Sequence, residues 1–215
     1  MVTVSFSLRR GGALVVALVG VSCVLSACGR GDGGVSASAG SEASEVSASP
    51  VVDLPEEQAA AREAALAMAA PERPEGMDEE SAEGAVATAT YFVQLYPYVY
   101  ATGDLEQWRS MTRQDCLFCN SVITNVGKLH EAGGWISPWT HTITRTDYLD
   151  PGPDSEYSQV DVVFDQEASY SYDGTGAPPD VSEPATGTLL MLAMKYVEGR
   201  WVVRGGRVEQ EEQGE

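Results

Sequence analysis

The stretch SAEGAVATATYFVQLYPYVYATGDLEQW, residues 81–108, decides the fold predicted for this chain. Apolar residues recur in it every three or four positions, which predicts a single amphipathic helix over 79–102. The residues of this apolar stripe are Ala82, Ala85, Val86, Ala89, Phe92, Val93, Tyr96 and Val99. Pro97 should kink the helix, because proline removes one hydrogen bond and crowds the carbonyl four residues back. Gly103 suits the helix end, since glycine readily adopts the left-handed conformation found there.

Two shorter helices are predicted after this long one. Asp104 suits the N-cap of the first, with Gln107 three residues on, and Asp115 suits the cap of the second. Gly133 and Gly134 should end the second helix. The apolar sides are formed by Leu105, Trp108 and Met111 in the first helix and by Phe118, Val122, Val126 and Leu129 in the second.

The period of the sequence then changes, and β-branched and aromatic residues alternate in part with polar ones. Strands are predicted within 139–149, 157–166, 188–197 and 200–208. The strand at 188–197 is apolar at both odd and even positions, which predicts a central strand covered on both faces. Glu198 and Gly199 should form a tight turn, so the last two strands should make a hairpin. Helices followed by antiparallel strands indicate an α+β domain.

Two short motifs are similar to those of nuclear-transport-factor-2-like (NTF2-like and SnoaL-like) domains. They are TGDLEQW at 102–108, after the long helix, and EGRWVV at 198–203, in the closing strand. The resemblance implies an α+β, cone-shaped fold in which three N-terminal helices pack on a curved antiparallel sheet. It implies no activity, because this fold carries both enzymes and binding modules.

A second, narrower resemblance covers residues 72–205. The motifs PERPEGM, YVYATGD, CLFC and AGGWI, in this order, resemble an actinobacterial family of lipoproteins whose domain has no assigned function. This resemblance also carries no activity, and it names no site residue.

The first 27 residues are predicted to be an export signal. Arg9 and Arg10 precede an apolar run over 13–27 that is shorter than the roughly 20 residues of a membrane-spanning helix. Such a charged start and short apolar core are typical of a signal peptide, here 1–27.

The end of this run, LSAC, resembles the lipobox of bacterial lipoproteins. The resemblance implies that Cys28 is lipidated and becomes the first residue of the mature chain. Cys23 is a poorer candidate, because Gly20 occupies the position where a lipobox has a branched apolar residue. An ordinary secretory signal cleaved after Ala27 is the alternative. We expect the protein at the extracytoplasmic face of the cell membrane, held by this lipid anchor.

Composition divides the rest of the chain into three parts. Residues 28–75 are expected to be a flexible tether, because they contain few large apolar side chains. A marginal helix is expected within it at 53–70, with Asp53 as the N-cap. Residues 76–208 are expected to form the single α+β domain, and 209–215 an acidic tail.

The chain is strongly acidic, with 13 basic and 32 acidic side chains and a net charge of −19. Removal of the signal takes away two arginines, which leaves 11 basic against 32 acidic side chains. A surface of this charge repels phosphate backbones, so nucleic acid is excluded as a partner.

Cys116 and Cys119, in DCLFCN, have the spacing of thiol-disulfide catalysts. Outside the membrane they would meet an oxidising environment, and positions three apart on a helix bring their Cα atoms to roughly 5 Å, within the disulfide range. We interpret the pair as a structural disulfide. A redox role is the alternative, although the motif follows a predicted helix instead of the strand of a βαβ unit. Zinc binding with His130 and His141 is disfavoured by the spacing of the histidines.

No residues form a recognisable catalytic, cofactor-binding or metal-binding set, and no cofactor is predicted. Some cone-shaped isomerases use buried aspartates and tyrosines, and Tyr91, Tyr98, Asp161 and Asp165 could face inward. If a cavity survives inside the cone, the candidates for its lining are Tyr91, Tyr98, Trp108 and Trp139.

The sequence therefore predicts a non-enzymatic binding or interaction module of the cell envelope. Its ligand would be a small apolar molecule or an envelope protein. The alternatives are an envelope thiol-disulfide oxidoreductase that uses the CxxC pair, and a small-molecule enzyme of the isomerase or cyclase type.

Overall fold

The structure, a computed structural model, describes residues 53–210. The predicted signal peptide, the lipidated Cys28, the tether up to residue 52 and the end of the tail at 211–215 lie outside the described residues.

Helices come first along the described chain and strands follow, so the predicted α+β fold class is confirmed. The helices are α1 (Glu56–Leu66), α2 (Ala82–Thr102), α3 (Glu106–Ser110) and α4 (Leu117–Glu131). The strands are β1 (Trp135–Ile136), β2 (His141–Leu149), β3 (Ser158–Gln166), β4 (Ser169–Tyr172), β5 (Asp180–Ser182), β6 (Ala185–Val197) and β7 (Arg200–Gln210). The four predicted strands correspond to β2, β3, β6 and β7, whereas β1, β4 and β5 were not predicted. The last strand reaches Gln210, so the first two residues of the predicted acidic tail belong to the sheet.

The main sheet has four antiparallel strands in the order β2-β3-β6-β7. The pairing shifts register in β2, in β3 and between Ala193 and Met194 of β6, and such bulges bend a sheet and increase its twist. The long predicted strand β6 is central in this sheet. One of its faces is buried, but Leu189, Met191 and Ala193 on the other face are only half-buried. The prediction that both faces are covered is therefore wrong for the second face.

A two-residue turn joins β6 to β7, as predicted. Val197 pairs with Arg200, and Glu198 and Gly199 between them have φ values of 52° and 84°. Positive φ at both positions is the geometry that matches the twist of a tight hairpin. Glycine adopts it without strain, whereas Glu198 is the only non-glycine residue with positive φ among residues 53–210.

The long helix α2 lies against the main sheet and forms the centre of the core. It starts after Ser81, whose side chain accepts a hydrogen bond from the Gly84 N–H at 3.0 Å, and it ends at Gly103 with φ of 78°. The predicted helix over 79–102 is confirmed. Its apolar stripe packs on β2 and β3, where Val160 and Val162 are fully buried.

Helix α1 differs from the tether segment predicted for it. It packs on β1 and α2 through Ala65, which is buried against Ala101 and Trp135. The Gln58 side chain also donates hydrogen bonds to the carbonyls of residues 176–177. Tertiary contacts thus hold a helix that would be marginal in isolation.

The start of α1 also differs from the prediction. Its N-cap is Pro55, with no side-chain hydrogen bond, and Asp53 does not cap it. Proline is favourable at a helix start because it lacks the N–H that would be left without a partner there.

Candidate functional site

The space between α2 and the main sheet is filled by side chains. The rings of Phe92 and Trp108 stack with centroids 4.0 Å apart, and the exposed fraction of Trp108 is 1%. Leu95 on α2 and Leu192 and Met194 on β6 are fully buried around them. A small molecule could enter this space only if core side chains moved, so the interior of the cone is a core.

The four residues predicted to line a pocket do not form one. Trp108 and Trp139 are brought together by Tyr96, whose ring centroid lies 6.2 Å from that of Trp108 and 6.3 Å from that of Trp139. Tyr91 is buried elsewhere on the same helix, and burial raises the pKa of its hydroxyl. Tyr98 is half-buried near the end of α2, where its hydroxyl donates to Asp104 at 2.8 Å.

Pro97 and His141 are linked through the backbone of α2. The helix continues through Pro97 to Thr102, although proline has no N–H to donate to the carbonyl of Val93 four residues back. The Nδ1 of His141 lies 3.1 Å from this carbonyl oxygen and donates to it. The first residue of β2 thus supplies the hydrogen bond that Pro97 removes.

The second ring nitrogen of His141 is also occupied. Its Nε2 accepts a hydrogen bond from Trp139 Nε1 at 3.2 Å, and an indole nitrogen can only donate. The two contacts together fix the neutral tautomer with the proton on Nδ1. Burial lowers the pKa of His141 to about 4, while the hydrogen bond to Val93 opposes this shift.

This cluster of Tyr96, Trp139 and His141 therefore has no group suited to proton transfer near neutral pH. The imidazole is neutral but both of its nitrogens are engaged. Burial raises the pKa of Tyr96 well above its usual range, so its hydroxyl stays protonated. The chemistry of the cluster is structural, since it joins α2 to the start of β2.

The two aspartates considered as inward-facing groups do not face the core. Val160, Val162 and Phe164 of β3 point into it, and Asp161 and Asp165 alternate with them on the opposite face. The Asp161 carboxylate accepts a hydrogen bond from Gln159, and that of Asp165 accepts one from the Gly187 N–H. They cannot act on anything inside the cone.

The predicted disulfide between Cys116 and Cys119 is present, with Cα atoms 5.3 Å apart. Cys116, instead of the predicted Asp115, is the N-cap of α4, and its sulfur accepts a hydrogen bond from the Cys119 N–H at 3.1 Å. Trp108 Nε1 donates to the Cys119 carbonyl at 3.3 Å. The disulfide therefore fixes the first turn of α4 against the central tryptophan.

Replacing both cysteines with serine should lower the free energy of unfolding by about 2 kcal/mol, the chain-entropy value for so short a loop. The measurement is chemical denaturation of the double variant Cys116→Ser, Cys119→Ser beside the oxidised wild type. Wild-type protein treated with a reductant should shift by a similar amount. A double variant as stable as the oxidised protein would contradict a structural role for the disulfide.

The remaining metal-binding candidates do not meet. His130 lies near the end of α4, where its Nε2 is 3.0 Å from the Tyr100 carbonyl oxygen, and His141 is held at the start of β2. Within residues 53–210, no three side chains of His, Cys, Asp or Glu converge as a metal site would require.

Two surface depressions lie away from the interior of the cone. One, of about 520 Å³, runs along the outer flank of α1 beside Leu54 and Leu66. The other, of about 480 Å³, lies between residues 112–115 and the β6–β7 turn. Charged side chains of both signs line the second depression, and Asp115 there is paired with Arg113 and Arg204. Neither depression contains a residue predicted to line a pocket.

One family model matches most of the described chain. It is described as a family of unknown function, DUF6318, and it matches residues 57–207. The match begins inside α1, in agreement with the packing of this helix on the domain. Comparison with curated proteins gives no match.

Several solved structures are similar to this chain at low identity. The intermembrane space region of chloroplast protein ARC6 is 10% identical with a TM-score of 0.46, and the match covers 62% of this chain and 99% of that one. An uncharacterised protein with a cystatin-like fold from Caulobacter vibrioides is 14% identical with a TM-score of 0.35, covering 65% and 93%. The protein Aln2 from a Streptomyces species is 12% identical with a TM-score of 0.38, covering 61% and 93%. The fold described above rests on the chain's own strand order.

Proposed function

The chain belongs to DUF6318, a family of unknown function, and from its own sequence and structure we propose that this protein is a lipid-anchored interaction module of the cell envelope. Membership of the family brings no activity with it. It would bind an envelope protein through the exterior of its α+β domain. It would not act as an enzyme on a ligand held inside the cone.

The filled interior is the observation that carries this proposal. An enzyme or small-molecule carrier of this shape needs space between the helix and the sheet, and here Phe92, Trp108 and Leu192 occupy that space. Tyr96 and His141, whose rings contact Trp108 and Phe164 of this core, are held in their neutral forms at pH 7. Recognition is therefore left to the surface of the domain.

The anchor is supported by the LSAC motif that ends at Cys28 and by the Gly, Ser and Ala residues that follow it. No helix within residues 53–210 has the length and apolar character needed to cross a bilayer. About 25 residues separate Cys28 from Asp53. As a flexible coil they would span roughly 25 to 30 Å, enough to hold the domain clear of a membrane surface.

The anchor is tested by replacing one cysteine in the full chain. Cys28→Ser should move the protein from the membrane fraction to the medium, or leave it as an unprocessed precursor. The matched control is Cys23→Ser, five residues earlier, which should leave the protein acylated and membrane-bound. The intact mass of the wild type should correspond to an acylated chain that starts at Cys28. If Cys28→Ser stays in the membrane fraction and its mass differs from that of the wild type only by the cysteine-to-serine change, the anchor is refuted.

The mode of binding is tested by native mass spectrometry of the mature protein extracted gently from its own membranes. We expect either the bare acylated chain or a complex with a second polypeptide. A bound molecule of a few hundred daltons that leaves on denaturation would instead show a small-molecule binder and overturn the proposal.

The redox alternative is not favoured by the geometry of the disulfide. Both Cys116 and Cys119 are fully buried, whereas a catalytic disulfide must present one sulfur to the thiolate of its partner. The pair also follows α3 instead of a strand.

A further inference from the structure

The three short strands form a second sheet, in the order β1-β4-β5, that carries one apolar face. Trp135 pairs with Tyr172, and their rings stack with centroids 4.7 Å apart. Tyr170 lies two residues before Tyr172 on the same strand, and Val181 is directly opposite Tyr170. Since side chains alternate along strands and paired residues share a face, all four lie on one side of this sheet. We call this side the aromatic face.

Helix α1 covers only one end of the aromatic face. Trp135 is fully buried beneath Ala65, Leu54 and Met68. At the other end, the exposed fractions are 43% for Tyr170 and 53% for Val181. The row formed by Trp135 and Tyr172 is thus covered by α1, and the next row, formed by Tyr170 and Val181, is uncovered.

The uncovered end has the dimensions of a second helix position. The helix α1 also contacts the β4–β5 loop through Gln58, and Tyr170 lies two residues along β4 from Tyr172 on the side away from that loop, a rise of roughly 7 Å. Helices packed side by side on a sheet are separated by about 8 to 10 Å. A helix that lay beside α1 would therefore rest on Tyr170 and Val181.

The strands and loops around this position carry negative charge only, whereas Arg62 of α1 lies over the Trp135 ring at the covered end, 5.8 Å from its centroid. The sequence has no lysine or arginine from residue 146 to residue 194, while it has ten aspartates and glutamates. Three of these carboxylates, Glu167, Asp173 and Glu183, lie just outside β4 and β5, and all three are exposed. Asp180, within β5, alternates with Val181 and lies on the opposite face of the sheet. A partner that covers the two apolar side chains would meet carboxylates at the rim, so basic residues on it would be favoured.

Addition of a partner strand to the sheet edge is a less suitable mode of binding. The edge strand β5 has only three residues, and it follows Pro178 and Pro179 and precedes Pro184. Short edge strands flanked by proline resist pairing with another chain. The side-chain face, not the backbone edge, is therefore the surface that remains open.

We propose that the uncovered end of the aromatic face is a docking site for a basic amphipathic helix of an envelope partner, which packs beside α1 on Tyr170 and Val181. The partner's apolar stripe would cover these two side chains, and its lysines or arginines would face the carboxylates at the rim. This inference rests on the proposed function and names the surface and the partner class for it.

The chemistry of the site is tested with a designed 18-residue peptide of leucine and lysine at helical spacing. It should bind the full chain, and the double variant Tyr170→Ser, Val181→Ser should weaken binding at least tenfold. The matched control Leu117→Ser removes an apolar side chain that is 86% exposed elsewhere and should change binding less than twofold. A peptide with glutamate in place of lysine should not bind. Equal binding to the wild type and the double variant would mean non-specific attraction to an acidic protein and would refute the site.

The partner is tested by photo-crosslinking in the cells that make the protein. A benzophenone amino acid replaces Tyr170 in one variant and Leu117 in the other. Crosslinking from position 170 to a basic helical segment of another protein supports the proposal. A partner captured from position 117 alone would refute this surface but would still support an interaction module. Capture of lipid or of a second copy of the chain at position 170 would also refute the proposed partner class. If neither position captures a protein, the result would count against the interaction module itself.

Discussion

Replacing Trp108 with alanine will lower the free energy of unfolding by about 3–5 kcal/mol, the range for a buried tryptophan truncated in a core. Trp108 stacks on Phe92, lies at the edge of Tyr96 and donates a hydrogen bond to the Cys119 carbonyl. The change thus removes the ring that connects α3, α2 and the first turn of α4. For a domain of this size the midpoint of thermal unfolding should fall by roughly 6 to 20 °C. Calorimetry or thermal unfolding followed by circular dichroism measures it.

The same substitution distinguishes a core residue from one that lines a binding pocket. Leu117→Ala, nine residues away and 86% exposed, is the control and should change stability by less than about 0.5 kcal/mol. Trp108→Phe should lie between the two, because it retains a ring against Phe92 but loses the hydrogen bond. If Trp108→Ala unfolds at the wild-type temperature, the interior is not packed as described and the case for an exterior binding surface fails with it.

Below neutral pH the domain will lose stability as His141 resists protonation. Burial holds the pKa of His141 at about 4 in the folded protein, against its usual 6.5. Between these values the unfolded chain binds a proton that the folded chain does not, so the free energy of unfolding falls as the pH is lowered from 6.5 to 4. This one residue lowers the free energy of unfolding by on the order of 3 kcal/mol over this range, and the loss is complete below about pH 4.

The contribution of His141 is isolated by comparison with His141→Asn, which keeps an amide N–H that can donate to the Val93 carbonyl. Denaturant unfolding at several pH values between 4 and 7 should show a shallower pH dependence for the variant, by up to about 1.4 kcal/mol per pH unit. The aspartates and glutamates titrate in both proteins, so their effect cancels in the difference. Parallel curves for the two proteins would show that His141 is not the titrating group.

The elements that sequence periodicity predicted well are those whose burial pattern is local. The apolar stripe of α2 repeats over six turns, so periodicity predicts the helix. The hairpin at Glu198 and Gly199 depends on two adjacent residues, so the sequence predicts it as well. The disulfide was readable for the same reason, because Cys116 and Cys119 are separated by one helical turn. Strands β1, β4 and β5 were missed because strands of two to four residues are too short to establish an alternation.

Other features depended on contacts between distant parts of the chain. The sequence placed α1 in a tether because its own helix-forming tendency is marginal, yet Trp135 and Ala101 give it a surface on which to pack. The sequence also offered Trp108 and Trp139 as pocket lining, since an aromatic residue that fills a core and one that borders a cavity have the same local pattern. Neighbouring side chains decide between the two, and here Phe92 and Tyr96 occupy the space.

The hydrogen bond between His141 and the carbonyl of Val93, beside Pro97, could not be predicted from the sequence. The sequence alone determined that a carbonyl four residues before Pro97 would lose its helical partner, because this follows from the covalent structure of proline. It also determined the acidic charge and the absence of basic residues from 146 to 194, which restrict the class of partner. Only the tertiary structure decided that His141, 48 residues after Val93, would supply the missing hydrogen bond and that Tyr170 and Val181 would lie uncovered beside α1. The physical reason is that hydrogen bonding and burial depend on which groups meet in space, and residues far apart in the chain meet only when the whole domain packs.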